Sequence, residues 1–170
     1  ARSLQTALVD ATESRTGVAI VAAGLATQRS TVVAWSRATG RALCDALSWQ
    51  DRRNAGALAH LRPLAQRVRE ITGLPISPHY GASKLRWYLD NVPAVQRAAV
   101  TGDLACGPLS SFLVSRLTEE RRCLVDPANA SRTLLYDPSQ LQWSQELLRL
   151  FDLDPRHLPA CVPTRCAFGR

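Results

Sequence analysis

Arg29 stands between Gln28 and Ser30, and this trio could grip a hydroxylated ligand. A guanidinium presents a planar fork of donors to adjacent hydroxyls, and a glutamine amide adds a donor and an acceptor. Trp49 could offer such a ligand a flat face for its C–H side and one N–H donor. His79 and Tyr80 add two aromatic, titratable side chains in the loop Ser77-Pro78-His79-Tyr80-Gly81. Each residue also has a plainer reading. Arg29 can be a structural ion pair with Asp51 or Asp126, Trp49 a core residue where a strand meets a helix, and His79 a solvated loop histidine with no carboxylate placed in sequence to orient it. Lys84 invites a phosphate-binding role, but it lacks a glycine loop and heads a helix, which places it on the helix surface. Asp51 is expected to cap a helix, and Asn129 to Arg132 to form a hydrogen-bonded turn. No phosphate-cradling glycine loop, HExxH, GxSxG or metal-spaced His/Cys set is present.

The elements that must carry these side chains follow from periodicity. Leu4 to Asp10 has apolar residues at helical spacing. Gly17 to Leu25 is an uncharged, Val-, Ile- and Ala-rich run expected as a strand buried on both faces. Thr31 to Trp35 and Ala42 to Trp49 flank the turn Arg37-Ala38-Thr39-Gly40 and predict a β-hairpin. A helix starting at Asp51 and passing Leu58 and Leu61 meets Pro63, which predicts a kink or two short helices. Thr72-Gly73-Leu74-Pro75 closes that segment. Leu85, Tyr88 and Leu89 share a helical face ending at Asn91, with a restart at Pro93. Pro93 to Val100, Pro108 to Leu117 and Trp143 to Phe151 are further helix candidates, and Cys123 to Pro127 a short strand running into a turn. The order is mixed α/β, with no internal repeat and no domain boundary inside the segment.

Of the 170 residues 46% are hydrophobic and 21% charged, which suits one folded domain and excludes disorder over most of the length. The longest uncharged apolar run, Gly17 to Thr27, falls short of the roughly 20 residues that span a bilayer, and no leader pattern opens the chain. A soluble, cytoplasmic protein without membrane contact is expected. Five cysteines at 44, 106, 123, 161 and 166 include no CxxC pair and cannot all pair within one chain, so neither a disulfide framework nor a metal site is expected. The net charge of +7 raises nucleic acid as a partner. Its spread argues against one, because 20 arginines and one lysine run from Arg2 to Arg170 with no run longer than two, unlike the clustered footprint of polyanion binders.

The strings Thr27-Gln28-Arg29-Ser30-Thr31, Trp35 to Gly40 and Ser48-Trp49-Gln50-Asp51-Arg52-Arg53 closely resemble the substrate-binding part of the FGGY carbohydrate kinases, in particular their glycerol kinase branch. Thr72 to Pro78 with Lys84-Leu85-Arg86-Trp87, and Asn129 to Leu135, continue the resemblance in order and spacing. It implies part of an actin-like, ribonuclease H-like ATPase domain, a mixed sheet with a β-hairpin and flanking helices. It implies ATP-dependent phosphoryl transfer to a sugar or polyol hydroxyl, with ATP and Mg²⁺ as the family's cofactors and none expected on this stretch. Residues 1 to 170 correspond to an incomplete N-terminal substrate-binding domain. The Asp-x-Gly-Thr signature, the Gly-Asp-Gln segment with the family's catalytic aspartate and the nucleotide-binding C-terminal domain are not among them, so the stretch is expected to be inactive alone, with no catalytic residue of its own. A non-catalytic sugar-binding or interaction domain derived from a kinase is the alternative.

By the same resemblance Gln28, Arg29, Ser30, Trp49, His79 and Tyr80 fall at substrate-binding positions. Ser30 stands where glycerol kinases carry a glutamate, His79 where the family's tyrosine follows the loop proline, and Ser110 where an aspartate is common. These departures leave the choice of sugar or polyol open. Strands missing ahead of Gly17 to Leu25 would leave an open edge or apolar face, and self-association into a dimer is expected from that.

Overall fold

The computed structural model describes residues 6, 7, 9, 10, 12, 21 and 24–169. The expected strand Gly17 to Leu25 lies mostly outside them; Val21, Gly24 and Leu25 are exposed and in no strand. At positions 6, 7, 9, 10 and 12 the chain is helical, as the apolar spacing of Leu4 to Asp10 predicts.

Strand β1 (Val32–Ser36) is the centre of the molecule, with all five residues buried. Its side chains alternate between two clusters: Val32 and Ala34 enter the main core with Leu58, Leu61, Leu85 and Tyr88, while Val33 and Trp35 pack with Ala105, Leu109 and Phe112. A strand covered on both faces needs apolar residues at every position, which Val-Val-Ala-Trp supplies. The hairpin expected from Thr31 to Trp49 is present only in part. The turn is there, with Gly40 at φ +67° and Ser36 Oγ accepting from Thr39 N. The return stretch touches β1 at two isolated bridges, Trp35 to Ala42 and Val32 to Leu47. Between them the Tyr88 hydroxyl comes within hydrogen-bonding reach of the Asp45 and Val32 carbonyls and accepts from Leu47 N, so a helix side chain takes the place of a continuous ladder.

The ladder partner of β1 is instead β2 (Leu104–Pro108), antiparallel, with Val32 opposite Pro108 and Ser36 opposite Leu104. Gly107 allows the approach of residues 155–159 over β2: a Cβ there would sit 2.9 Å from Pro159 Cδ. Two further two-stranded pieces complete the described sheet structure, β3 (Leu124–Val125) parallel to β6 (Ala160–Cys161), and the hairpin β4 (Tyr136–Asp137) with β5 (Gln142–Trp143).

Pro63 divides its segment as expected, into a 3₁₀ stretch Gly56–Leu64 and helix α1 (Ala65–Thr72), and Gly73 ends α1 at φ +72°. Asp51 does not cap this segment. Its carboxylate accepts from Arg53 N and Nε instead, five residues ahead of the first helical position, Gly56. Helices α2 (Gly81–Asn91) and α3 (Pro93–Val100) break at Val92, with Pro93 at the first helical position where its missing N–H costs nothing. Helix α4 (Leu109–Leu117) follows β2 directly. The short α5 (Pro127–Ala130) is capped by Asp126, and α6 (Gln145–Leu150) by Ser144. Trp143 therefore precedes its expected helix and belongs to β5, its indole donating to Pro159 O at 2.8 Å.

Candidate functional site

The chain enters β1 through a tight turn in which Ser30 takes a left-handed backbone, φ +66°. Ser30 is buried and its hydroxyl has no hydrogen-bond partner, while Gln28 and Arg29 are exposed. Thr31 fastens this turn. Its hydroxyl donates to Gln28 Oε1 at 2.6 Å and accepts from Trp49 N at 3.2 Å, and its carbonyl accepts from Leu109 N at the start of α4. Thr27 donates to Asn129 Oδ1 from the other side, and Asn129 in turn donates to Asp126. Asn129 to Arg132 is hydrogen-bonded as expected, the end of α5 running into a 3₁₀ turn at Ser131–Thr133.

Trp49 is 38% exposed, so the core reading of this residue does not hold. Its ring lies 5.5 Å from that of His79, and both line a cleft of about 370 Å³ with Gln50, Arg52, Ser77 and Pro78. His79 packs edge-on against Tyr80 at 5.2 Å, and Arg132 covers the Tyr80 ring at 4.9 Å with Nη2 3.4 Å from His79 Nε2. Partial burial, then the charges of Arg132 and Lys84, push the His79 imidazole below its ordinary 6.5. At neutral pH the ring is an uncharged aromatic surface with one acceptor nitrogen. Tyr80 itself is buried, so of the loop pair it is His79 that reaches the cleft.

The ion pair weighed for Arg29 is not formed with either proposed acid. Asp51 is held by Arg53 at 2.7 Å, which also keeps its carboxyl below the usual range, and Asp126 bonds Ala128 N and Asn129. Arg53 meanwhile stacks on Trp87 at 4.4 Å.

Lys84 corrects the surface placement expected for it. It is 1% exposed, and its ammonium donates to the carbonyls of His79 (2.5 Å), Ser30 (3.3 Å) and Tyr80 (3.4 Å). The burial arises because the first turn of α2 is pressed beneath β1: a Cβ on Gly81 would stand 3.1 Å from Val32 Cγ1 and 3.3 Å from Thr133 Cα. Lys84, Thr31 and Arg132 are the residues of this site that sequence reasoning passed over. All three lie inside or beside the strings that carry the resemblance, and only spatial packing tells them from surface residues.

The structure therefore brings the Gln28–Thr31 turn, Trp49 and the His79–Tyr80 loop into one neighbourhood. An exposed guanidinium, an open indole and a neutral imidazole can hold a small polyhydroxylated molecule. Among the described residues no group of three His, Cys, Asp or Glu side chains could hold a metal ion, and no helix is long and apolar enough to cross a membrane.

The sequence profile of the FGGY family of carbohydrate kinases, N-terminal domain, matches residues 2–170. A glycerol kinase of Ralstonia nicotianae is 43% identical over 161 residues, 93% of this chain and 32% of that protein. One from Gluconobacter oxydans is 44% identical over 88% of this chain and 30% of its own length. In structure the chain is similar to Plasmodium falciparum glycerol kinase with ADP, at a TM-score of 0.88 and 28% identity, covering 96% of this chain and 33% of that one. It also shares its fold with a xylulose kinase from Lactobacillus acidophilus, at a TM-score of 0.76 and 23% identity. The chain spans about a third of the length of these relatives.

Proposed function

Because the chain belongs to the FGGY family of carbohydrate kinases, we propose that it is the acceptor-binding portion of an ATP-dependent sugar or polyol kinase. Trp49 and His79 carry this reading. Two rings at 5.5 Å beside the Arg29 turn, Trp49 exposed and His79 half-buried, form a surface suited to the C–H face of a polyol, with a guanidinium fork for its hydroxyls. Phosphoryl transfer consists mainly of positioning an attacking hydroxyl and stabilising charge on the transferred group. The residues described here do the first of these. In such a kinase ATP would supply the phosphoryl group and Mg²⁺ would neutralise its developing charge. These residues do not fit either group: the Asp51 carboxylate is occupied by Arg53, that of Asp126 by Ala128 N and Asn129, and among the described residues no metal-holding cluster is present.

Ser30, His79 and Ser110 shape the choice of acceptor. The Ser30 and Ser110 hydroxyls are buried without partners, and neither can supply the negative charge of a glutamate or aspartate at those positions. A neutral acceptor is consequently held by donors and ring faces rather than by carboxylates. ATP consumption by the purified chain with a panel of polyols and ketoses is expected to stay at background, while glycerol still shifts the Trp49 and His79 resonances. Turnover that copurifies with the chain would overturn the acceptor-only assignment.

We also propose that the chain self-associates. β1 and β2 are themselves fully buried, so the contact falls elsewhere, on exposed apolar residues such as Val21, Leu25 and Leu117. Light scattering over a dilution series should show a dimer dissociating with dilution. A particle of monomer mass at about 100 μM would count against it.

A further inference from the structure

Lys84 is the only lysine of the chain, and among the described residues no other charged side chain is buried to the same degree. It has no carboxylate in an ion pair. Its three donors are directed instead to three backbone carbonyls, one in the turn that leads into β1 and two in the loop that leads into α2. A buried charge held this way opposes folding unless its hydrogen bonds are well made, and an apolar side chain of similar length would fill the space at less cost. The ammonium is therefore better explained by what it holds than by stability.

Resting on the acceptor-binding reading above, we infer that Lys84 is a positioning residue, whose buried ammonium clamps the Gln28–Thr31 turn to the His79–Tyr80 loop and so fixes Arg29, Trp49 and His79 relative to one another. The connections form a closed circuit. Lys84 joins the Ser30 carbonyl to those of His79 and Tyr80; Thr31, next to Ser30, receives the Trp49 amide; and the Trp49 ring returns to His79. Breaking the clamp would let the turn and the loop part while α2 and β1 keep their other contacts.

The clamp is titratable in an accessible range. Burial pushes the ammonium from 10.5 down to about 8, against a smaller opposite pull from Asp51. Facing it are Asp51, ionised because Arg53 holds its carboxyl low; His79, neutral here because its pKa is pushed below 6.5; the Tyr80 phenol; and Arg132, which lies over Tyr80. Near pH 8 the change in charge thus belongs to Lys84. Since its folded pKa lies below the unfolded one, Lys84 taken by itself contributes a stability that rises with pH between about 8 and 10.5, whereas the buried thiols of Cys106, Cys123 and Cys161, pushed above 9.0, contribute the opposite slope. The clamp weakens in the same window, so it is read locally, at the turn and the loop, rather than from global stability.

The test uses ¹⁵N NMR on the whole 170-residue chain, wild type and Lys84→Met, with glycerol as probe. In the variant the Trp49 and Tyr80 amides are expected to exchange about tenfold or more faster, with the Trp49 indole resonance displaced. In the wild type that resonance and the glycerol-induced shifts should titrate with a midpoint near 8, the shifts shrinking as pH rises; Lys84→Met should show no such transition. A folded Lys84→Met with unchanged exchange and an unmoved Trp49 resonance would overturn the clamp. If the variant does not fold, the wild-type titration decides alone, and a Trp49 resonance flat from pH 7 to 9 overturns it. A wild type that binds no glycerol counts against the acceptor reading, while the exchange and pH readouts still judge the clamp.

Discussion

Trp35→Ala is expected to lower the unfolding free energy by about 3–5 kcal/mol, the usual range for emptying a core site of this size. Trp35 has no exposed surface, lies edge-on to Phe112 at 5.6 Å and fills the layer between β1 and α4 with Val33, Ala105 and Leu109. It sits mid-ladder opposite Ala105 and bridges to Ala42, so the surrounding backbone is held on both sides and cannot readily collapse into the space. Its indole N–H, however, is buried without a partner. Trp35→Phe keeps most of the ring volume and removes that orphan donor, so its loss should stay below about 1.5 kcal/mol. Urea unfolding of both variants checks the pair. Equal losses would mean that the indole N–H, not the filled volume, is what the site needs. Because stabilities of single domains are about 5–15 kcal/mol, the alanine variant should be marginal at 37 °C.

How far such features can be seen in the sequence depends on whether the deciding contact is local. The α2–α3 break was legible because Asn91, Val92 and Pro93 carry their stop signal in three adjacent residues, and Pro63 splits its segment for the same reason. β2 was not. Leu104–Pro108 ends in Gly107 and Pro108, which read as turn formers, yet Gly107 is there to admit Pro159 across a long stretch of chain. The broken hairpin has a similar origin, since only the fold shows that the Tyr88 hydroxyl lies beside Leu47 and Asp45.

The candidate site divides along the same line. Arg29 and Trp49 lie in the strings that carry the family resemblance and His79 stands where that pattern departs, and the structure packs the two rings, Trp49 and His79, against each other. The exposure of Trp49 had no local signal, because tryptophan at the end of an extended stretch is equally at home in a core. Lys84 misled for a physical reason: a lysine near a helix start is normally solvated, and its burial follows from the close approach of Gly81 to Val32 and Thr133. A cation with no acid within its own helix turn was the available hint.

Arg29→Ala is expected to reduce glycerol binding by about tenfold or more, the loss that follows when donors to a bound polar group are removed. Wild-type affinity should itself be weak, in the millimolar range, since Arg29 and Trp49 stay open to solvent and polar contacts that remain hydrated add little. The variant should therefore bind too weakly to saturate. Its fold should be intact, because Arg29 is exposed and the turn is held by Thr31 and Lys84 rather than by the guanidinium. Arg97→Ala removes the same charge from the exposed side of α3 and serves as the control for net charge. Chemical-shift titration of the three proteins separates the outcomes. Loss confined to Arg29→Ala places the acceptor at the turn, and equal loss in both variants would reduce the effect to overall charge. Shifts of equal size in wild type and Arg29→Ala would move the acceptor away from this turn, leaving the cleft between Trp49 and His79, with Arg52 at its wall, to hold it without Arg29.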